Sequence, residues 1–323
     1  MYDYRLRTGM VVGLTILAGF MCAGSSRALE RYEKRVVLEL VRQDPGGSGA
    51  TPYTYTSDAY PHSFALDGKG NIYLATWARC EIRKYDPKGK YLTLITWNHR
   101  DCPTYRWWFK VDGDGSILIC WWNRADRGST GIWIDKLGRQ HDVELEVRPS
   151  YWDTDLIDGY VIDRHKGKIG KSPKAGRLSE AKLTLVQGLR VEDRRALRKH
   201  KPVRLVGPAG SRSIIPKSVG RPLNVWGVIG LDGDMNCYAA FSASDPKLRI
   251  KNVRGVEFSG SRHWIGKYSR KGELLTWIEA EYAPRVLMAR ISEKGDVYQE
   301  WDDVVVPGGI PGKVTITKWE RIK

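Results

Sequence analysis

One turn recurs along this chain at a fixed place between two apolar runs, and it limits the fold more than any other feature. Asp67-Gly68-Lys69-Gly70-Asn71 leads into Ile72-Tyr73-Leu74, and Asp112-Gly113-Asp114-Gly115-Ser116 leads into Ile117-Leu118-Ile119. Asp232-Gly233-Asp234-Met235-Asn236 repeats the pattern before Cys237-Tyr238, and Ser292-Glu293-Lys294-Gly295-Asp296 repeats it more loosely before Val297-Tyr298. Asp and Gly make the tight turn of a hairpin, and the β-branched and aromatic residues after it suit a strand. A second turn follows the first three, at Tyr85–Lys90, Ile134–Arg139 and Tyr268–Glu273. Two turns per unit imply four strands, which in the first unit are strand A at His62–Leu66, B at Asn71–Thr76, C at Cys80–Tyr85 and D at Lys90–Trp97. Asp67 and Asp112 stand 45 residues apart, a spacing that suits a repeated four-stranded unit.

In this form the sequence resembles the NHL-type six-bladed β-propellers of secreted bacterial proteins, whose blade signature runs D-x-x-G-N-I-Y and then I-x-x-Y/F-D-x-x-G-K. Asp67, Gly70, Asn71, Ile72, Tyr73, Ile82, Tyr85, Asp86, Gly89 and Lys90 carry it in full. The likeness covers 56–146 and 225–321; between Ser150 and Leu223 it fades, although Tyr160–Asp163 and Lys182–Val186 read as strands. The resemblance implies an all-β chain forming a single β-propeller of about six four-stranded blades. Five or seven blades, or a β-sandwich with a small basic domain, are the alternatives. Closure is expected by pairing of N- and C-terminal strands, with Arg35–Val41 joining the blade that holds Val314–Trp319, because a ring has no open sheet edge.

The N-terminus predicts the compartment. Arg5 and Arg7 precede an uncharged run from Gly9 to Gly24, the pattern of a signal peptide over 1–28 cut between Ser25 and Leu29. The run is shorter than the roughly 20 apolar residues of a membrane span. A secreted or periplasmic protein follows, monomeric and not transmembrane after cleavage, with the propeller over 29–323 and a basic, irregular insertion around 164–222. Between Arg164 and Arg221 lie 17 Lys and Arg against three acids, in a chain whose net charge is +16.

In an up-down-up-down blade the A–B and C–D turns share one face, and the B–C loops share the other with the D-to-A crossovers. The spacing between the two turns grows from 19 residues (Gly70 to Gly89) to 23 (Gly115 to Gly138) and 37 (Met235 to Gly272). That growth fits between strands B and C, so the loop face is the expected binding face. It should carry Trp77, Arg79, His99, Arg100, Asp101, Arg124, Asp126, Arg127 and the segment Asp245–Arg262. Cys80 and Cys102 fall on that same face and are expected to form a disulfide, while Cys120 and Cys237 should be buried within strands. A short helix is expected over Val191–Lys199, bringing Arg194, Arg195, Arg198 and Lys199 together as a basic cluster.

Local motifs give no catalytic centre. There is no G-x-S-x-G elbow, Walker motif or C-x-x-C pair. Asp112-Gly113-Asp114 resembles the start of a calcium loop, but the twelfth position is Asn123, so a hairpin turn is the better reading. Among aligned inner-strand starts (His62, Trp107, Gly227, Leu287), only His62 could ligate a metal. The 13 Trp residues, including Trp107-Trp108 and Trp121-Trp122, are expected to pack between blades, since adjacent strand residues point to opposite faces. The expected function is non-enzymatic binding or scaffolding without a cofactor or metal. The partner would be an anionic envelope polymer, an acidic lipid surface or an acidic protein, with nucleic acid disfavoured by export and by the lack of a nucleic-acid-binding motif. The alternative is a hydrolase or lyase with a metal site at the central channel.

Overall fold

The computed structural model describes residues 30–43, 51–55, 61–76, 80–97, 107–122, 129–145, 154–157, 159–163, 169–171, 190–191, 203–207, 210–251, 257–280, 289–302 and 312–322. Every regular element among them is a strand. The first sheet contains β3 (Pro61–Leu66), β4 (Ile72–Thr76), β5 (Glu81–Tyr85) and β6 (Tyr91–Thr96), numbered after β1 (Tyr32–Arg42) and β2 (Thr54–Tyr55). The second contains β7 (Trp107–Val111), β8 (Ile117–Trp122), β9 (Ser129–Ile134) and β10 (Gln140–Leu145). Two three-stranded sheets follow, β11 (Thr154–Ile157) to β13 (Ile169–Lys171) through β12 (Tyr160–Asp163), and β14 (Arg190–Val191) to β16 (Gly210–Ile214) through β15 (Val203–Gly207). The fifth is β17 (Asn224–Leu231), β18 (Cys237–Lys251), β19 (Glu257–Tyr268) and β20 (Leu274–Ala280). The sixth joins β21 (Arg290–Ile291), β22 (Val297–Asp302) and β23 (Lys313–Arg321) to β1 and then β2.

This is a β-propeller. The first strands of successive sheets lie beside one another, β3 by β7, β7 by β11, β14 by β17 and β17 by β21, as a radial array requires. The N-terminal strand β1 pairs antiparallel with the C-terminal β23, from Tyr32 opposite Arg321 to Val41 opposite Lys313. The stretch read as an irregular insertion contains β13 to β16, whose Val203, Leu205 and Val206 supply β-branched and apolar positions among the cations. Val191 lies in a strand; the rest of the expected helix lies outside the described residues, as does Lys182–Val186.

Stacking between sheets explains why the strands lack simple alternation. All five residues of β4 are buried, because both faces of its sheet are covered. On one side Tyr73 and Ile82 pack with Trp107, Phe109, Ile119 and Trp121 of the second sheet. On the other, Phe64, Ile72 and Leu74 meet Leu38, Leu40, Val314 and Ile316 of the sixth. The adjacent Trp107 and Trp108 split between two interfaces, Trp107 against the first sheet and Trp108 against the cluster with Leu156 and Val161 of the third. Cys120 and Cys237 are buried within β8 and β18.

Candidate functional site

The turn face carries most of the buried charge. Asp67 uses Oδ1 to accept the backbone N–H groups of Lys69 (3.0 Å) and Asn71 (2.9 Å). Its Oδ2 accepts from Asn71 Nδ2 (2.7 Å) and the Tyr73 hydroxyl (3.1 Å) and lies 3.8 Å from Lys84 Nζ. Asp232 repeats this arrangement more tightly. Its Oδ1 accepts from the Asp234 and Asn236 N–H groups, and its Oδ2 stands 3.0 Å from the Tyr238 hydroxyl and 3.2 Å from Lys267 Nζ. Tyr73 and Lys84 are directly opposite across their strands, as are Tyr238 and Lys267, and Tyr298 and Lys318. In the sixth sheet Ser292 takes the turn-capping place, and the carboxylate moves to Asp296, 2.8 Å from Lys318 Nζ. The second sheet replaces the Tyr–Lys pair with Leu118 and Trp133.

These groups hold neighbouring sheets together. Gly68 N–H donates to the Gly113 carbonyl (3.0 Å), Gly233 N–H to the Glu293 carbonyl (2.8 Å), and Gly159 N–H to Asp112 Oδ2 (2.5 Å), each linking one A–B turn to the next. Lys267, only 1% exposed, also pairs with Glu30 (3.0 Å), which precedes β1 and accepts at its carbonyl from Thr276 Oγ1. Burial pulls the Lys267 ammonium down, but bonds and charges from Glu30, Tyr32 and Asp232 outweigh it and leave the group raised. Burial, reinforced by neighbouring oxygens, pushes the Tyr73 and Tyr238 phenols far above their ordinary value. Asp112-Gly113-Asp114 forms the β7–β8 hairpin turn: Asp114 accepts from the Ser116 N–H and hydroxyl, and Asp112 from the Gly113 N–H. The chemistry of this face is therefore cohesion between sheets.

The loop face is built differently. β18 and β19 run well past the ends of their neighbours as a projecting hairpin, interrupted by a bulge between Asp245 and Arg249. At its base the buried Asp245 accepts from Arg221 Nη1 (2.9 Å) and Arg262 Nε (2.6 Å), and Arg262 reaches Glu279 (3.1 Å). Bonds from Arg221, the Lys247 N–H and Arg262 hold the Asp245 carboxyl well below the usual range. Beyond this base Lys247 and Arg249 are exposed. The described part of the expected Asp245–Arg262 segment is strand, in β18 and β19, where a loop between strands B and C was expected. Sequence reasoning missed Arg221 and Glu279, which lie far from the segment and join it only through the fold.

The other expected site residues lie outside the described residues: Trp77, Arg79, His99, Arg100, Asp101, Arg124, Asp126, Arg127, Arg194, Arg195, Arg198 and Lys199. Cys102 does too, while Cys80 is half-buried with φ 47° in the turn just before β5; no disulfide is found among the described residues. Side-chain placement at His62 also lies outside what is described. Trp97 and Trp107 meet edge-to-face at 4.7 Å and close the loop side of the first interface.

No family model and no curated protein matches the chain. Solved structures similar to it include a member of the duf4221 family from Bacteroides vulgatus, 10% identical, with a TM-score of 0.48 over 91% of this chain and 99% of that one. A catalytically inactive virginiamycin B lyase from Staphylococcus aureus with quinupristin is 11% identical, with a TM-score of 0.37 over 90% of this chain and 100% of its own. A gluconolactonase from Xanthomonas campestris is 12% identical, with a TM-score of 0.34 over 90% and 91% of the two chains. These superpositions are loose, and the architecture rests on the strand pairings given above.

Proposed function

We propose that the protein is an exported binding or scaffold propeller that presents basic elements to an anionic partner in the cell envelope: a polymer, an acidic lipid surface or an acidic protein. The observation that supports this reading is the β18–β19 hairpin, which carries exposed Lys247 and Arg249 above a base locked by Arg221, Asp245 and Arg262. A fixed cationic projection binds anions with little ordering cost. The Arg164–Arg221 stretch, with its 17 cations, adds to the same potential.

The experiment is binding to dextran sulfate and to anionic vesicles across a salt series. Affinity is expected to fall steeply with salt. Changing Arg194, Arg195, Arg198 and Lys199 to Glu, or Lys247 and Arg249 to Glu, should weaken binding while far-UV circular dichroism and melting stay unchanged. Unchanged binding by both folded variants contradicts the proposal. A divalent ion held by three or more protein ligands at the channel would favour the rival hydrolase or lyase.

A further inference from the structure

The seam between the fifth and sixth sheets changes character along its length. At the turn face it is clasped. The Gly233 N–H donates to the Glu293 carbonyl (2.8 Å), the Tyr32 and Tyr238 hydroxyls lie 3.1 and 3.0 Å from the Gly295 carbonyl, and Lys267 pairs with Glu30 (3.0 Å). A middle layer is apolar, with Ala240, Ile265 and Ile278 against Val297 and Trp319. One step further toward the loop face, strand alternation sets Ser242 and His263, paired across β18 and β19, on the side facing Gln299 and Thr317, paired across β22 and β23. Thr315 follows Thr317 on the same side. All five are buried, yet neither amide atom of Gln299 and neither threonine hydroxyl has a hydrogen-bond partner among the described residues. On their other face the same stretches of β18 and β19 carry Phe241 and Trp264, which pack on Trp277 at ring distances of 5.1 and 6.2 Å.

A buried polar group without a partner costs free energy that contact with water returns. Parting the loop half of this seam hydrates Gln299, Thr315 and Thr317 and uncovers little apolar surface. Parting the turn half would break the Lys267 pair, and every hydrogen bond and ion pair described across the seam lies in that half. We propose that the propeller opens locally here: the loop halves of the fifth and sixth sheets part about the turn-face clasp, with every strand pairing kept. The opening adds a neutral hydrogen-bonding wall, made of Ser242, His263, Gln299, Thr315 and Thr317, to the face that carries the cationic β18–β19 hairpin. β1 stays on β23 throughout, since the movement is between sheets and not within one.

The test is thiol labelling of the whole folded chain with iodoacetamide, read site by site by peptide mass spectrometry. Thr317→Cys puts a thiol on the seam, while native Cys120 and Cys237, buried in other seams, report global unfolding in the same molecule. Ile316→Cys, one residue away on the opposite face of β23, reports loss of the strand itself. Thr317→Cys should react about 100-fold or more faster than Cys120, Cys237 and Ile316→Cys, at a rate that barely changes in dilute urea, because the motion exposes little surface. Gln299→Cys should behave in the same way. Adding Thr315→Val and Thr317→Val to it, which replaces two unpaired hydroxyls by methyl groups of the same shape, should slow its labelling about tenfold without lowering the melting temperature. Seam thiols that react no faster than Cys237 overturn the proposal, as does an Ile316→Cys thiol that reacts as fast as Thr317→Cys. Labelling of Gln299→Cys left unchanged by the two Val substitutions overturns it equally, because the unpaired hydroxyls would then not drive the opening.

Discussion

At the scale of single residues, the turn-face clusters differ in how deeply they are buried, and that difference predicts their energetics. Lys267 is enclosed between Asp232 and Glu30, whereas Lys84 is one-quarter exposed and 3.8 Å from Asp67. Removing one member of a buried pair leaves an uncompensated charge, so Lys267→Met should cost roughly 3–5 kcal/mol, and Lys84→Met about 1 kcal/mol or less, by chemical denaturation. The tyrosines give a pH signature. Burial pushes the Tyr85 phenol up to about 12, against a lowering pull from Arg83, and raises Tyr73, Tyr238 and Tyr268 further. A raised folded-state value means stability present below the unfolded value of about 10 and lost as pH rises beyond it. Phenolate absorbance should therefore stay well below the full tyrosine count near pH 11, then rise together with loss of circular dichroism. Smooth non-cooperative titration of every tyrosine around pH 10 would contradict this burial.

At the scale of elements, the C–D turns show how one glycine serves two sheets. Gly89 and Gly272 have positive φ, and a Cβ there would fall on the backbone carbonyls of Val37 and Ser213. Gly138 has the same φ with open space around it. Gly138→Ala should cost about 1–2 kcal/mol for backbone strain; Gly89→Ala and Gly272→Ala should cost clearly more, as measured by melting, because the neighbouring strand must also move. These turns were legible in sequence because each needs a particular residue at a particular place. All four strands of the first sheet emerged within a residue of their expected ends, and the Arg35–Val41 pairing with Val314–Trp319 was anticipated in the right sheet. The third and fourth sheets were legible only in part: Tyr160–Asp163, which follows Asp158-Gly159, was expected as a strand and is β12, but no complete unit could be read there, and β15 follows His200-Lys201-Pro202 without an Asp/Gly turn. The site was less legible still. Neither Arg221 nor Glu279 carries a local signal, and the contacts of Arg221 with Asp245 and of Glu279 with Arg262 exist only once β18 and β19 extend beyond the sheet. The Tyr–Lys pairs had a detectable half: Tyr73, Tyr238 and Tyr298 each stand six positions after the turn's first residue.

At the scale of the whole molecule, the chain's two ends meet in one sheet, and residues far apart in sequence share its burial. Leu38 and Leu40 of β1 pack with Phe64, Ile72 and Tyr298, while Glu30 reaches Lys267 and the β20 backbone of the fifth sheet. The N-terminal strand is therefore part of the core and of two sheet interfaces, and its detachment would open the sixth sheet and expose Ile316 and Val314. A propeller built in this way should lose β1 only when it unfolds as a whole, because no smaller unit leaves that surface covered. Hydrogen exchange followed by mass spectrometry reads this directly. The account predicts that amides of residues 32–41 exchange as slowly as those of 297–302 and 313–321, in step with global unfolding; exchange of 32–41 within seconds to minutes, with β22 and β23 still protected, would contradict it.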